Sequence, residues 1–208
     1  MKRIVMLAVL FSALALFAVL LGPRRGQTDD NQSEDSESKI QRGFAIAPVP
    51  LNLDGKNASL VGLGSYIVNG PGGCNDCHTC PSYVGHTAAD NPYATGGTLS
   101  GVATPGPVNT SNYLAGGVHF GPFLSSKNIT PDPQQGNLPE GLTLDEFMTV
   151  LKTGHDPDQP AHILQVMPWP VYRHMTDRDL LAIYEYLSAI PHAEPGMCSG
   201  GGEFKLIP

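Results

Sequence analysis

The chain has 208 residues, enough for one domain of ordinary size, and its 24 Gly and 19 Pro make about a fifth of it turn-forming. Charged residues make up only 15% of the chain, and its formal net charge is −7. This acidity argues against binding to nucleic acid or to an anionic lipid surface, and so much Gly and Pro predicts a loop-rich domain with few helices.

The first 25 residues are predicted to direct export. Lys2 and Arg3 precede an apolar run from residue 4 to residue 21 that only Ser12 interrupts. This order of charge and hydropathy is typical of an export signal, and the run almost reaches the ~20 residues that span a bilayer. We expect residues 1–25 to be a signal peptide or an N-terminal membrane anchor. The mature protein would then be soluble in the periplasm or anchored to the periplasmic side of the inner membrane.

Residues 26–42 are predicted to be an acidic, disordered linker. They contain five acidic side chains, and Ile40 is their one large aliphatic residue, so little apolar surface offsets the entropy lost on ordering. The globular domain is expected to span residues 43–208. It has six Lys or Arg side chains against fourteen Asp or Glu, a net charge of −8. That charge either steers the domain toward a basic partner or only keeps it soluble.

The stretch "GCNDCHTCP" follows a weak predicted helix, "NASLVGLGSYIVNG". Cys74, Cys77 and Cys80 form a C-x-x-C-x-x-C run, but the bacterial iron–sulfur pattern needs a fourth Cys that is missing here. A structural zinc site usually takes two ligand pairs, and only Cys198 lies elsewhere. No βαβ context supports a thioredoxin-like dithiol, and a pure disulfide framework gives His78 no role.

The remaining interpretation of residues 74–78 is the C-x-x-C-H signature of covalent c-type haem attachment. Two thiols three positions apart can each add to one vinyl group of haem, and the adjacent His78 then lies beneath the iron as an axial ligand. Export agrees with this interpretation, because the attachment takes place outside the cytoplasm. The motif therefore predicts one covalently bound haem c.

A second axial ligand would close the iron to substrates, and a Met thioether would raise the potential. Met148 lies on the apolar face of a predicted helix and is expected in the core. Met167, Met175 and Met197 remain. We favour Met167, in "QVMPWPVYRHM", because the prolines that follow it are expected to hold the chain stiff and extended. Met175 or a His stays the alternative.

Two further helices are predicted on either side of this loop. "TLDEFMTVLKTG" begins with a capping box formed by Thr143 and Glu146 and ends at Gly154. "TDRDLLAIYEYLSAIP" begins at Thr176, and Pro191 stops it. Both carry an apolar stripe, which favours packing around a common core.

The chain resembles a class I type monohaem cytochrome c. A glycine-bearing helix before C-x-x-C-H, a Met-Pro on a loop and an aromatic-rich final helix occur in that family's order. "GPFLSSKNITPD" and the stretches quoted above are similar to those of cytochrome c subunits and proteins in bacterial respiratory and periplasmic dehydrogenase chains. The likeness covers about residues 57–192.

The resemblance implies a mainly α, cytochrome c-like fold, with few helices around a covalently bound haem and long Gly/Pro-rich loops. It implies that Cys74 and Cys77 attach haem and that His78 and Met167 are the axial ligands of its iron. It also implies that the first and last helices of the domain cross at Gly62.

The loop insert over residues 84–139 lengthens the spacing between His78 and Met167 to 89 positions, more than in compact members of the family. Three polar residues of the insert could reach haem propionates or could serve the loop's own structure: Asn112, Tyr113 and Lys127. The role of the insert is left open.

Cys80 and Cys198 are expected to form a disulfide, since two leftover thiols usually pair in an oxidising compartment. The alternative is two unpaired thiols, with Cys80 buried beside haem. The other histidines show no paired spacing typical of a zinc enzyme, and "GHDPDQPAH" is a weak metal candidate because a loop offers no fixed geometry.

Two functions from different classes follow. The first is an electron carrier that passes single electrons between redox partner proteins, one of them with a basic docking patch, either alone or as a subunit of an oxidoreductase complex. The second is a haem enzyme or gas sensor with an open or displaceable distal site. It would need a donor such as His162 or His174 and would leave Met167 in the core.

Overall fold

The computed structural model describes residues 27–82, 108–120 and 124–196 of the chain. The chain divides into two compact units, Met1–Glu37 and Ser38–Pro208. The predicted export segment, residues 1–25, lies outside the described residues. Among those that are described, no helix is long and apolar enough to cross a membrane.

Helices make up most of the regular structure, which confirms the predicted mainly α fold and is compatible with a cytochrome c-like architecture. The helices are α1 (Gln27–Ile46), α2 (Ala58–Asn69), α3 (Cys74–His78), α4 (Leu144–Thr153), α5 (Trp169–Tyr172) and α6 (Asp177–Ala189). Two small antiparallel sheets pair β1 (Pro131–Asp132) with β2 (Leu138–Pro139) and β3 (His155–Asp156) with β4 (Gln159–Ile163).

Helix α1 differs from the prediction of a disordered linker over residues 26–42. Its second half, within the unit that begins at Ser38, is held by tertiary contacts: Ile40 is buried, and Ser65 Oγ donates to the Gly43 carbonyl at 2.7 Å. A β-carbon on Gly43 would lie 1.8 Å from the Gly62 carbonyl oxygen. The acidic composition of the segment does not reveal these contacts. The domain boundaries stay predictions.

The caps of α4 and α6 confirm the predicted helix limits. The Thr143 hydroxyl accepts from the Glu146 amide, Glu146 accepts from the Thr143 amide, and Gly154 ends α4 with a φ of 74°. Thr176 and Asp179 form the same reciprocal pair at the start of α6. The side chains of these boxes bind amides that the first helical turn leaves without partners.

The core of the second unit forms where α6 packs against α2 and α4. Its largest fully buried side chains are Tyr113, Tyr186, Leu114, Leu180, Leu187, Val61 and Val68. The Tyr113 and Tyr186 hydroxyls lie 3.0 Å apart, and both bond to Asn69 on α2. The network satisfies three polar groups inside an apolar core, and it ties the loop around residue 113 to both helices.

The crossing of α2 and α6 lies at Gly64, so the expectation of a crossing at Gly62 is wrong. A β-carbon on Gly64 would lie 1.9 Å from the Ala182 carbonyl oxygen, whereas one on Gly62 would meet Ile40 and Phe44 of α1. The two glycines lie two positions apart and therefore face different neighbours on a helix of 3.6 residues per turn. Sequence spacing alone did not separate the two roles.

We expect Gly64→Ala to destabilise the protein by about 2 kcal/mol, because overpacking typically costs 1–3 kcal/mol and the gain in helix propensity recovers only part of it. The unfolding midpoint should fall by about 4–8 °C for a chain of this size. Ser59→Ala, at an exposed position of the same helix, is the control and should change little. Equal melting curves for the two variants would contradict the close crossing.

Cys80 is fully buried and disulfide-bonded, whereas Cys74 and Cys77 are free thiols. Cys198 lies outside the described residues, so the pairing of Cys80 with Cys198 stays a prediction. Two observations support it: the chain has four cysteines in all, and a β-carbon on Gly196 would lie 1.9 Å from the Cys80 carbonyl oxygen.

Candidate cofactor site

Helix α3 carries both free thiols and one imidazole on its five residues. It follows α2 through a tight glycine turn, in which the Gly72 amide donates to the Ile67 carbonyl at 2.7 Å and Gly73 has a φ of 58°. Gly73 takes the left-handed conformation at low cost because it has no β-carbon. The turn therefore fixes the residues at 74, 77 and 78 against the end of α2.

The four residues predicted to hold a cofactor, Cys74, Cys77, His78 and Met167, line one cavity of about 550 Å³. This volume lies within the range of roughly 300–1,000 Å³ that is typical of cofactor and ligand pockets. Much of the wall is apolar and comes from α4, α6, β4 and the loops: Phe120, Leu124, Ile129, Phe147, Val150, Leu151, Ile163, Leu164, Ile183 and Leu187. The cavity therefore combines a large apolar surface with a few sulfur and nitrogen atoms that could bind a cofactor.

The imidazole of His78 is oriented by a backbone carbonyl. Its Nδ1 lies 2.9 Å from the Lys127 carbonyl oxygen, and because a carbonyl can only accept, Nδ1 carries the hydrogen. Nε2 then keeps its lone pair, which is the state that binds a metal. Burial lowers the pKa of His78 although the Lys127 carbonyl acts in the opposite direction, so the ring is neutral at neutral pH.

The thiols of Cys74 and Cys77 differ from those of a reactive dithiol. Burial, and next the neighbouring Cys77, raise the pKa of Cys74 to about 12, while burial and Asp76 raise the pKa of Cys77. Dithiol oxidoreductases instead depress the pKa of the attacking cysteine. These thiols are therefore protonated at neutral pH, which argues against a thioredoxin-like role.

Met167 lies in a compact turn between β4 and α5. The Trp169 indole donates to the Leu164 carbonyl at 3.1 Å, and the Trp169 amide donates to the Met167 carbonyl at 2.8 Å. The expected extended chain is wrong here, because Pro168 caps α5 and Pro170 lies in its first turn, where a missing amide costs nothing. The two hydrogen bonds of Trp169 nevertheless hold the turn in place.

Met175 lines the same cavity, so both favoured and alternative methionines are placed around it. Met148 packs against the core, in agreement with its prediction, and Met197 lies outside the described residues.

The cavity also contains Tyr172 and Glu140, which the sequence did not single out, and Asp156, which it offered only within a weak metal candidate. The Tyr172 hydroxyl donates to the Gly72 carbonyl at 2.7 Å and so ties α5 to the turn before α3. The aromatic stretch around Met167 was a usable signal for Tyr172. Glu140 gave no signal, and nothing in the sequence connects Glu140 or Asp156 to their common partner, which is distant in the chain.

That partner is Lys127, whose ammonium lies 2.9 Å from Asp156 Oδ2 and 3.5 Å from both Glu140 Oε1 and Asp158 Oδ2. Burial raises the pKa of Glu140 to about 7 despite Lys127. Burial is also the largest single influence on Asp156 and acts in the same direction. The hydrogen bonds that its carboxylate accepts from Lys127 and from the Asp158 and Gln159 amides, together with the charge of Lys127, nevertheless outweigh burial and lower the pKa of Asp156. Lys127 therefore forms ion pairs with both aspartates of the "GHDPDQPAH" stretch, Asp156 and Asp158.

The insert residues divide between loop structure and the cavity. Asn112 donates to the Glu194 carbonyl at 2.8 Å, and Tyr113 belongs to the buried network with Asn69. Lys127 lines the cavity. The described part of the insert therefore gives the first two residues a structural role and leaves Lys127 at the site.

Comparison with known proteins links part of the chain to one class. A stretch of 129 residues, 62% of this chain, is 29% identical to the cytochrome c subunit of a quinone alcohol dehydrogenase of Gluconobacter oxydans (strain 621H). The chain spans only about a fifth, 21%, of that relative's length. No family model matches, and no solved structure matches. The similarity therefore indicates a cytochrome c-like relationship over part of the chain and, in general terms, electron transfer.

Proposed function

We propose that this protein is a monohaem c-type cytochrome that transfers single electrons between redox partners outside the cytoplasm. The observation that carries the proposal is that Cys74, Cys77, His78 and Met167 line a single, largely apolar cavity. When bound there, haem supplies a reversible ferric–ferrous couple.

The donor set fits haem c better than the other groups considered. Two thiols on one short helix can form two thioethers, and the neighbouring imidazole has its Nδ1 hydrogen already directed to a carbonyl. A thioether from Met167 suits the soft, redox-active iron and favours its reduced state. The apolar wall excludes water, which limits reorganisation when charge changes.

The partners are proposed from charge and from the relative. The domain carries a net charge of −8 over residues 43–208, which favours a redox partner with a basic docking patch. The relative is named as a subunit of a dehydrogenase, so we place this chain among redox proteins of the periplasmic side, free or within such a complex. Residues 4–21 would supply the export signal or the membrane attachment.

An open-site haem enzyme or gas sensor is the second candidate, because His162 also lines the cavity and could serve as a distal donor. In that case the distal iron position would be free or easily displaced. The two candidates differ in spin state and in reactivity toward small anions, which makes them separable by spectroscopy.

The test uses the full chain, exported from a host that attaches haem. We expect one reversible one-electron wave, low-spin absorption spectra in both oxidation states, and slow cyanide binding to the ferric form. A high-spin ferric spectrum with rapid cyanide binding would favour the enzyme or sensor. A chain that takes up no haem at all would overturn the proposal.

A further inference from the structure

We infer that Lys127 is a positioning residue for His78: its carbonyl accepts the imidazole hydrogen, and its ammonium, held by three carboxylates, fixes that carbonyl. The inference rests on the proposed function only where it concerns the iron. The hydrogen bond and the ion pairs of Lys127 join residues of this chain and do not involve haem.

The peptide of Lys127 lies against α3 through several backbone contacts. The Gly116 amide donates to the His78 carbonyl at 2.6 Å, and a β-carbon on Gly116 would lie 2.5 Å from the Lys127 carbonyl carbon. The Gly117 amide in turn donates to the Ser126 carbonyl at 3.0 Å. The loop therefore brings the Lys127 carbonyl to His78, but these bonds restrain only one side of the residue.

The side chain supplies the second restraint. Its ammonium reaches Asp156 on β3, which is only 7% exposed, and also Glu140 beyond β2 and Asp158 between β3 and β4. A buried carboxylate that loses its cation is costly to leave unpaired, so the Lys127–Asp156 bond resists rearrangement. The loop around Lys127 is thereby tied to the β3–β4 hairpin.

The same hairpin leads into the turn that holds Met167. The Leu164 amide donates to the Gly154 carbonyl at 2.8 Å, next to β3, and Trp169 bonds to the Leu164 carbonyl. Lys127 therefore links the support of the imidazole to the segment that carries the thioether. The Lys127 side chain thereby connects the loop that orients His78 with the hairpin that leads to Met167, and these are the two residues proposed to bind the iron.

The test compares Lys127→Met with Lys127→Arg in the haem-loaded, reduced full chain. The readout is the ring ¹⁵N spectrum of His78 and the exchange rate of its Nδ1 hydrogen. We expect Lys127→Met to raise that exchange rate at least tenfold, because the carbonyl is no longer fixed, and Lys127→Arg to restore it to within about twofold. Exchange at the wild-type rate in Lys127→Met would overturn the inference.

Lys152→Met is the matched control, because Lys152 also pairs with an aspartate, Asp177, at 2.6 Å but does not line the cavity. It should leave the His78 signals unchanged, and an equal effect from both variants would also overturn the inference. If Lys127→Met does not fold, Asp156→Asn weakens the same tie at nearly constant shape and takes its place.

Haem uptake separates this inference from the proposed function, and the midpoint potential is a further readout in the haem-loaded chain. Lys127→Met should shift the ferric–ferrous equilibrium about tenfold toward ferric, or about 59 mV for one electron, because a cation is lost beside three carboxylates. If the wild-type chain takes up no haem, the proposed function fails, and the His78 ring signals are compared in the haem-free chain. A mixed tautomer in Lys127→Met there would still support positioning, and an unchanged tautomer would refute it.

Discussion

Met167→Ala is expected to lower the midpoint potential by about 0.1 V or more and to remove the weak red absorption band of sulfur-ligated ferric haem. Axial ligands set haem potentials over a range of about 0.8 V, and a thioether stabilises the ferrous state. Met167 lies in a turn held by Trp169 and Leu164, so no other part of that turn can readily take its place. Redox titration with optical detection measures both effects.

Met175→Ala is the matched control, because Met175 lines the same cavity from a position eight residues further on. It should change the potential little and leave the red band in place. A large effect of Met175→Ala, with none from Met167→Ala, would assign the thioether to Met175. If neither variant changes the spectrum or the midpoint, ligation by Met167 and by Met175 is refuted.

The double substitution Cys74→Ser and Cys77→Ser should abolish covalent attachment altogether. Any haem that still enters the cavity would be held by contacts and axial bonds alone, and acidified organic solvent should extract it. The wild-type chain should keep its haem under the same treatment, because thioether bonds resist acid. The measurement is the fraction of haem that stays with the protein after extraction.

The double substitution Cys80→Ser and Cys198→Ser is the control for this experiment, since both cysteines lie outside the C-x-x-C-H motif and are the predicted disulfide pair. It should leave attachment intact. Each single substitution at 74 or 77 should leave one thioether, and the absorption maximum should shift because one vinyl group then stays conjugated. Haem that stays bound after extraction of the double variant would show that these thiols are not the attachment points.

Local signals predicted much of the fold. The capping residues Thr143 and Thr176, followed by apolar residues at helical spacing, gave the starts of α4 and α6 correctly. These features depend on a few neighbouring residues, and the sequence shows them directly. Helix α1 was missed because the contacts of Ile40 and Gly43 with α2 join residues about twenty positions apart.

The candidate site was predictable only where its residues lie close together in the sequence. Three of the four residues proposed to hold haem fall within five positions, and the spacing of the thiols points to one cofactor. The pairing of Glu140 and Asp156 with Lys127 was not predictable, because only the folded loop brings Lys127 to these carboxylates. The crossing at Gly64 was not predictable either, because the spacing of the glycines does not show which face of α2 packs against α6.

The most direct test of the central claim is the mass of the proteolytic fragment that contains residues 74–78, taken from the exported full chain. The proposal predicts that this fragment carries the mass of one haem bound through both thiols and that no other fragment does. Recovery of the same fragment with two unmodified thiols, from a host that loads other c-type cytochromes, would contradict it.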